Sequence, residues 1–303
     1  MPETKLYRLS DAIARFVTDG SEVALGVSQE TLIPFAAGHE IMRQQKRNLT
    51  LIGPISDILF DQMIGGGCVR RIRAAWVGNV ITGSGYNFRR AVESGAIEME
   101  DHSNLTLLTA LQAGALGVPF MPTRTALGSD LFKTNASIMP ATCPFSGEKL
   151  AAVKAIHPDV AIVHVQRADR FGNAHIWGNL GITREAAMAS RKIILTAEEI
   201  VAPEKINSDP NRVLIPGFRV SAVVHAPWGA HPSPVPGYYN RDHQAFIDYS
   251  SASRTPQRFK TWRSRWVDPI CSHADYLDLL GAERLGALGL THHVWPEPVD
   301  YGY

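Results

Sequence analysis

Short apolar runs that stop at glycine, proline or asparagine recur along the first half of this chain. Each is followed by a stretch with helical spacing. "SEVALGV" precedes "TLIPFAAGHEIMRQQ". "NLTLIGP" precedes "ISDILFDQMIGGG". "VRRIRAAWVGN" precedes "NFRRAVESG", and "IEMED" precedes "SNLTLLTALQAGALG". Four- to seven-residue apolar runs are long enough for buried strands and too short for helices. Strands that alternate with helices predict an α/β fold, an open and mainly parallel sheet flanked by helices. In such sheets ligands sit at the carboxyl ends of the strands. Three ends fit that description: Gly26-Val27-Ser28, Gly53-Pro54 and Gly78-Asn79.

The opening "SDAIARFV" predicts a helix capped by Ser10. The segment 117–150 contains four prolines and little periodicity, and it is read as a long functional loop. From residue 238 onward aromatic residues and arginines dominate, and this C-terminal region is read as helices over the outside of the body. No linker divides the 303 residues, so the expectation is one domain over 1–303 with 238–303 as a helical extension.

A net charge of +1, with lysines and arginines scattered, offers no field for nucleic acid. No apolar run approaches the roughly 18 residues of a membrane span, and "MPETKLYRLSDAIARF" lacks a signal-peptide core. Cys68, Cys143 and Cys271 form no CxxC pair. They read as incidental thiols of a reduced, cytoplasmic protein. "GGGC" at 65–68 lacks a phosphate-loop pattern, "GSGYNF" at 83–88 lacks the acid of a dinucleotide site, and no GxSxG elbow occurs. His225, His231, His292 and His293 read as loop or core histidines, since no carboxylates accompany them at metal-binding spacing.

"EMEDH" places Glu98, Glu100 and Asp101 beside His102. Strand alternation puts Glu98 and Glu100 on one face. Like charges in a cleft raise one carboxyl pKa, as a general base or nucleophile requires. The other reading is a solvated acidic turn before the helix that starts near Ser103. "DVAIVHVQRADRFGNAHIWG" poses a similar pair of alternatives. A buried strand runs straight into a polar turn in which Gly172 supplies a positive φ and Asp169 and Asn173 bond neighbouring backbone.

That stretch resembles the strand and hairpin of family I coenzyme A transferase alpha subunits, with their Ala-Asp-x-x-Gly-Asn turn at Ala168, Asp169, Gly172 and Asn173. "DGSEVALGVSQETLIP" is similar to the family's N-terminal signature. Asp19, Gly20, Val23 to Leu25, Gly26 and Pro34 stand in register, while Val27, Ser28 and Leu32 replace its Gly, Phe and Gly. "NFRRAVESGAIEMEDHSN", "AGALGVPFMPTRTALGSDL", "FSGEKLAAVKAIHPDVAIVHVQRAD" and "IPGFRVSAVVHAPWGAHP" resemble the glutaconate-type alpha subunits, and the likeness covers roughly residues 10–250.

The resemblance implies the CoA-transferase fold, shared with sugar-phosphate isomerases, and no metal or bound redox cofactor. It implies a CoA thioester and a carboxylic acid as substrates. It also implies that the nucleophilic glutamate sits in a beta subunit of similar fold, in a Ser-Glu-Asn-Gly type motif that this chain lacks. The chain would then be active only in an αβ or α₂β₂ pair. Gly26, Val27 and Ser28 would supply oxyanion donors, with Gly78 and Asn79 at a neighbouring strand end. Arg124 would either hold a substrate carboxylate or form a structural ion pair. The same superfamily includes hydrolases that open cyclic oxo-acyl-CoA rings in steroid breakdown. On that alternative Glu100 or Asp101 in "SGAIEMED" would be catalytic.

Overall fold

The structure is a computed structural model, and it describes residues 3–290. The chain opens with a short strand β1 (Leu6–Tyr7) and helix α1 (Leu9–Phe16), followed by β2 (Glu22–Ala24), α2 (Phe35–Arg43), β3 (Leu49–Ile52), α3 (Asp57–Gly65) and β4 (Val69–Ala74). A small hairpin follows, β5 (Gly78–Asn79) with β6 (Gly83–Ser84), then α4 (Tyr86–Glu93), β7 (Glu98–Asp101) and α5 (Asn104–Leu116). Next come β8 (Phe120–Thr123), α6 (Leu131–Thr134), β9 (Ile138–Thr142), β10 (Lys149–Lys154), β11 (Val160–Ala168) and β12 (Ala174–His175). The last third holds α7 (Thr183–Ala189), β13 (Lys192–Ile200), α8 (Pro203–Asn207) and β14 (Ala222–His225), and then helices α9 (His243–Ser253), α10 (Pro256–Trp266), α11 (His273–Leu280) and α12 (Ala282–Leu288).

The main sheet has nine strands, in the order β1-β14-β13-β11-β2-β3-β4-β7, with β12 added beside β11. Every pairing along that order is parallel, and β12 alone is antiparallel. The continuous apolar runs have their cause here. β3 and most of β11 are buried, because helices cover both faces. One apolar core joins the sheet to α1, α2, α3, α9 and α10, through residues such as Ile13, Phe35, Phe60, Phe246 and Phe259. The other joins it to α5 and α7, through Leu107, Leu111, Ala186 and Ile193.

Three local expectations are corrected. Arg8, not Ser10, is the N-cap of α1, and Ser10 lies inside the helix. Residues 117–150 are not a structureless loop: β8, β10 and β9 form a three-stranded antiparallel sheet whose inward side chains, Ile138, Ala151 and Val153, reach the second core. Pro122 and Pro140 sit in its two edge strands, where a missing N–H is tolerated. "VRRIRAAWVGN" is not one strand either. β4 stops at Ala74, and Gly78-Asn79 belongs to the β5–β6 hairpin.

The turn after β11 is architectural. Asp169 is fully buried; its Oδ1 accepts from the Phe171 and Asn173 amides at 2.8 and 3.0 Å, and its Oδ2 from Asn173 Nδ2 at 2.8 Å. The helix predicted near Ser103 begins as expected. Ser103 Oγ accepts from the Thr106 amide at 3.0 Å, and Thr106 Oγ1 accepts from the Ser103 amide at 2.8 Å.

Candidate active site

β2, β3 and β4 lie side by side and parallel, so their carboxyl ends open together. The chain leaves β2 through Gly26, at φ +66°. A Cβ there would stand 2.6 Å from Ser56 Oγ in the loop after β3, so the two loops can touch only because this residue is glycine. Ser56 Oγ crosses the gap and donates to the Leu25 carbonyl at 3.2 Å. The Gly26, Val27 and Ser28 amides have no acceptor among the described residues. The Val27 carbonyl accepts from the Ile182 amide at 2.9 Å, and Ser28 Oγ bonds Thr183 Oγ1 at 2.8 Å. The turn is thus fixed from below while its three donors stay uncommitted, which is the arrangement an oxyanion site needs.

Asp57, the first residue of α3, is buried and adopts φ +50°. Its Oδ1 accepts from Asn79 Nδ2 at 2.7 Å and its Oδ2 from Arg241 Nη2 at 2.8 Å. Arg241 Nη1 also donates to Glu30 Oε2 at 3.3 Å. Burial pushes the Asp57 carboxyl up to about 6 against the pull of Arg241 and Asn79. Gln29, Leu32 and Trp228 also have positive φ without being glycine, at the loops after β2 and β14. Four of the seven non-glycine residues with positive φ among the described residues thus lie at the carboxyl ends of the sheet, while Gln45, Asn48 and Ala126 lie elsewhere.

Gly78 and Asn79 stand at this rim. A Cβ on Gly78 would lie 2.4 Å from the Gly83 carbonyl oxygen, so glycine permits the close hairpin. Asn79 is buried, and its Oδ1 accepts from the Ile81 amide at 2.8 Å. Val80 and Ile81 at the tip are 62% and 52% exposed, unusual for apolar side chains on a rigid turn.

Glu100, Asp101 and Arg124 are not part of this cluster. Glu100 lies opposite Arg73 in the β4–β7 register, three strands from β2, a backbone separation of about 14 Å. Arg73 Nε donates to Glu100 Oε2 at 2.8 Å and Arg73 Nη1 to Glu22 Oε2 at 2.9 Å. Buried His102 stands 3.3 Å from Glu100 Oε1. Burial alone would raise the Glu100 carboxyl, but its bonds to His102 and Arg73 outweigh that and hold it at about 2. The expectation of a raised pKa in "EMED" is corrected: Glu98 and Glu100 do share a face, but each is neutralised by the arginine beside it, Arg71 or Arg73. Asp101 is exposed, and its carbonyl accepts from Asn135 Nδ2 at 2.7 Å. Arg124 forms the structural ion pair, donating from Nε and Nη2 to Glu148 at 2.5 and 2.9 Å on the outer three-stranded sheet.

The cysteines and histidines fall outside the site. Cys68 is buried, which lifts its thiol to about 11; Cys143 is half-buried and Cys271 exposed. His231 is a core histidine between Tyr276 and Asp242, at 2.7 and 2.8 Å. His225 ends β14, and its exposure corresponds to a loop histidine. His292 and His293 lie outside the described residues. Among the described residues no three His, Cys, Asp or Glu groups converge as metal ligands, and no helix is long and apolar enough to cross a membrane.

Asp57, Ser56, Glu30 and Arg241 were not legible as site residues. The strand-end rule points to Gly53-Pro54, but Ser56 and Asp57 look like an ordinary helix start, and Arg241 looks like outer helical cover.

A doubly covered parallel sheet, with a glycine-led turn of uncommitted amides at one strand end, defines an α/β class of protein with its candidate site at the carboxyl ends of the strands. The sequence model of the coenzyme A transferase family matches residues 7–226, and the chain belongs to that family. It is 43% identical over 267 residues to the A subunit of 3-oxoadipate CoA-transferase from Pseudomonas knackmussii, spanning 87% of this chain and 93% of that one. It is 36% identical to the A subunit of glutaconate CoA-transferase from Acidaminococcus fermentans, over 96% of this chain and 98% of the relative. The crystal structure of glutaconate coenzyme A-transferase from that organism superposes with a TM-score of 0.89 at 35% identity, covering 95% and 96% of the two chains.

Proposed function

We propose that this chain is the alpha component of a two-component transferase that moves CoA between an acyl-CoA and a dicarboxylic acid. The observation that carries the reading is the Gly26-Val27-Ser28 turn, with its three uncommitted amides at the carboxyl end of β2. The dicarboxylate follows from the relatives, since 3-oxoadipate and glutaconate both carry two carboxylates.

The reaction is covalent catalysis in two halves. A glutamate carboxylate attacks the thioester carbonyl. A C–O bond forms, the C–S bond breaks, and CoA leaves as thiolate. The thiolate attacks the glutamyl side of the mixed anhydride and releases the first acid, leaving a glutamyl-CoA thioester. The second acid repeats the sequence in reverse order. Each attack puts negative charge on a carbonyl oxygen, and fixed N–H donors stabilise it without reorganising.

The nucleophile belongs to the partner subunit on this reading. The buried carboxylates near the strand ends of this chain already have work. Asp57 holds Asn79 and Arg241, and Glu198 accepts from the Trp228 amide and the Tyr239 hydroxyl and faces His164; the half-buried Glu100, away on β7, holds Arg73. The hydrolase reading would place the chemistry on Glu100 or Asp101; Glu100 is engaged with Arg73, and both residues lie on β7, three strands from the β2 turn. The free thiols of Cys68, Cys143 and Cys271 suit a cytoplasmic complex.

The test is reconstitution. This chain and its partner are purified apart, and CoA transfer from acetyl-CoA or succinyl-CoA to 3-oxoadipate or glutaconate is followed. The expected result is transfer by the mixture and none by either chain alone. Full transfer by this chain alone would overturn the reading.

A further inference from the structure

We infer that Asp57 is a positioning residue that locks the rim of the active site, by joining the β5–β6 hairpin to the loop after β2. The inference rests on the functional reading above, because the rim matters only if the acyl group reacts there. Each carboxylate oxygen of Asp57 has one side-chain donor, and these donors come from separate segments: Asn79 at 2.7 Å from the hairpin and Arg241 at 2.8 Å from the chain before α9. Both partners pass the constraint on. Asn79 Oδ1 accepts from the Ile81 amide at 2.8 Å, which fixes the hairpin tip. Arg241 reaches Glu30 in the β2 loop and lies 4.2 Å from the centre of the Phe246 ring. Three segments thus meet on one buried carboxylate.

The competing reading is an acidic residue serving its own helix. Asp57 does meet the Ile58 amide of its own helix, but its two side-chain partners come from other segments. Ser56, the N-cap of α3, makes no capping bond and sends its hydroxyl to Leu25 in the neighbouring strand end. Asp57 takes a left-handed backbone, at φ +50°, which L-residues seldom adopt. The side chains of the N-cap and of the first residue of this helix therefore tie neighbouring loops.

The substitution Asp57→Asn separates the readings. A carboxylate offers two acceptors and both are used, whereas an amide offers one, so either Asn79 or Arg241 loses its partner. Asn79→Ala removes the hairpin's bonds to Asp57 and to the Ile81 amide while leaving Arg241 on Asp57, and it carries the test through exchange over 78–84 if Asp57→Asn does not fold. Each variant is prepared as the complex with the partner subunit. Two readouts are taken: kcat and KM with acetyl-CoA and 3-oxoadipate or glutaconate, and amide hydrogen exchange over 26–32 and 78–84. The expected result is kcat reduced about 10-fold or more, KM changed less than about 3-fold, and faster exchange confined to 78–84 and 26–32. Wild-type kcat with wild-type exchange in both segments would overturn the inference. So would a loss of activity that only tracks a smaller folded fraction. If the wild-type complex transfers no CoA, the functional reading fails, and exchange alone then decides whether Asp57 locks the rim.

Discussion

Glu100 and Asp57 are both carboxylates beside arginine, and their environments push them in opposite directions. Glu100 collects two donors at the edge of the sheet, and pairing wins over burial, leaving its carboxyl at about 2. Asp57 is deeper, and burial wins over pairing, leaving it at about 6. Glu100 therefore stabilises the fold fully above about pH 4.5, its ordinary value, and the contribution fades as pH falls toward 2. Glu100→Gln should cost about 1 kcal/mol of stability, measured by urea unfolding at pH 7, because Arg73 loses one of its two ionised partners and keeps Glu22. CoA transfer by the folded complex should stay within about 3-fold of wild type, since Glu100 acts on the fold and not on substrate. A loss of about 100-fold or more in kcat without unfolding would restore Glu100 as a catalytic residue, as the hydrolase alternative requires. Sequence alone could not decide between these roles. "EMED" shows the two glutamates on one face, but not Arg71 and Arg73 opposite them, because register depends on the neighbouring strand.

At the scale of elements, parallel strands and their covering helices were legible in the sequence, since burial on both faces writes itself as unbroken apolar runs. The sheet β8-β10-β9 was not. It is half-exposed, its edge strands contain prolines, and its signal reads as irregular chain. The C-terminal helices were legible as an outer layer but not by their attachment. Beside the apolar packing of Phe246 and Phe259, polar contacts attach them: His231 to Tyr276 and Asp242, Arg284 to Asp242 at 2.6 and 2.8 Å, and His273 to the Pro227 carbonyl at 2.6 Å. Burial lowers His39 to about 3 and His273 to about 4, and it lowers His231 as well. A histidine with a depressed folded pKa leaves stability intact above its ordinary value of 6.5 and removes it as pH falls below. By pH 5, His39 and His273 should each remove roughly 2 kcal/mol. Thermal melts at pH 7 and pH 5 should show a marked fall, smaller in His39→Gln and His273→Gln. A melting temperature unchanged between the two pH values would contradict this account of how α9 to α12 are held.

At the scale of the molecule, the family was legible from motifs such as "ADRFGN", although the residues of that motif build a turn rather than a site. Asp169 is fully buried and holds Asn173 and Phe171. On the functional reading above, this chain shapes the reaction and its partner supplies the nucleophile. Borohydride tests it most directly, because it reduces a glutamyl-CoA thioester and leaves a stable mass change on the modified peptide. The complex is incubated with acetyl-CoA or succinyl-CoA, treated with borohydride and digested for mass spectrometry. The account predicts one modified glutamate in the partner subunit and none in this chain. A modified glutamate in this chain, with Glu30 at the rim the first to inspect, would contradict it.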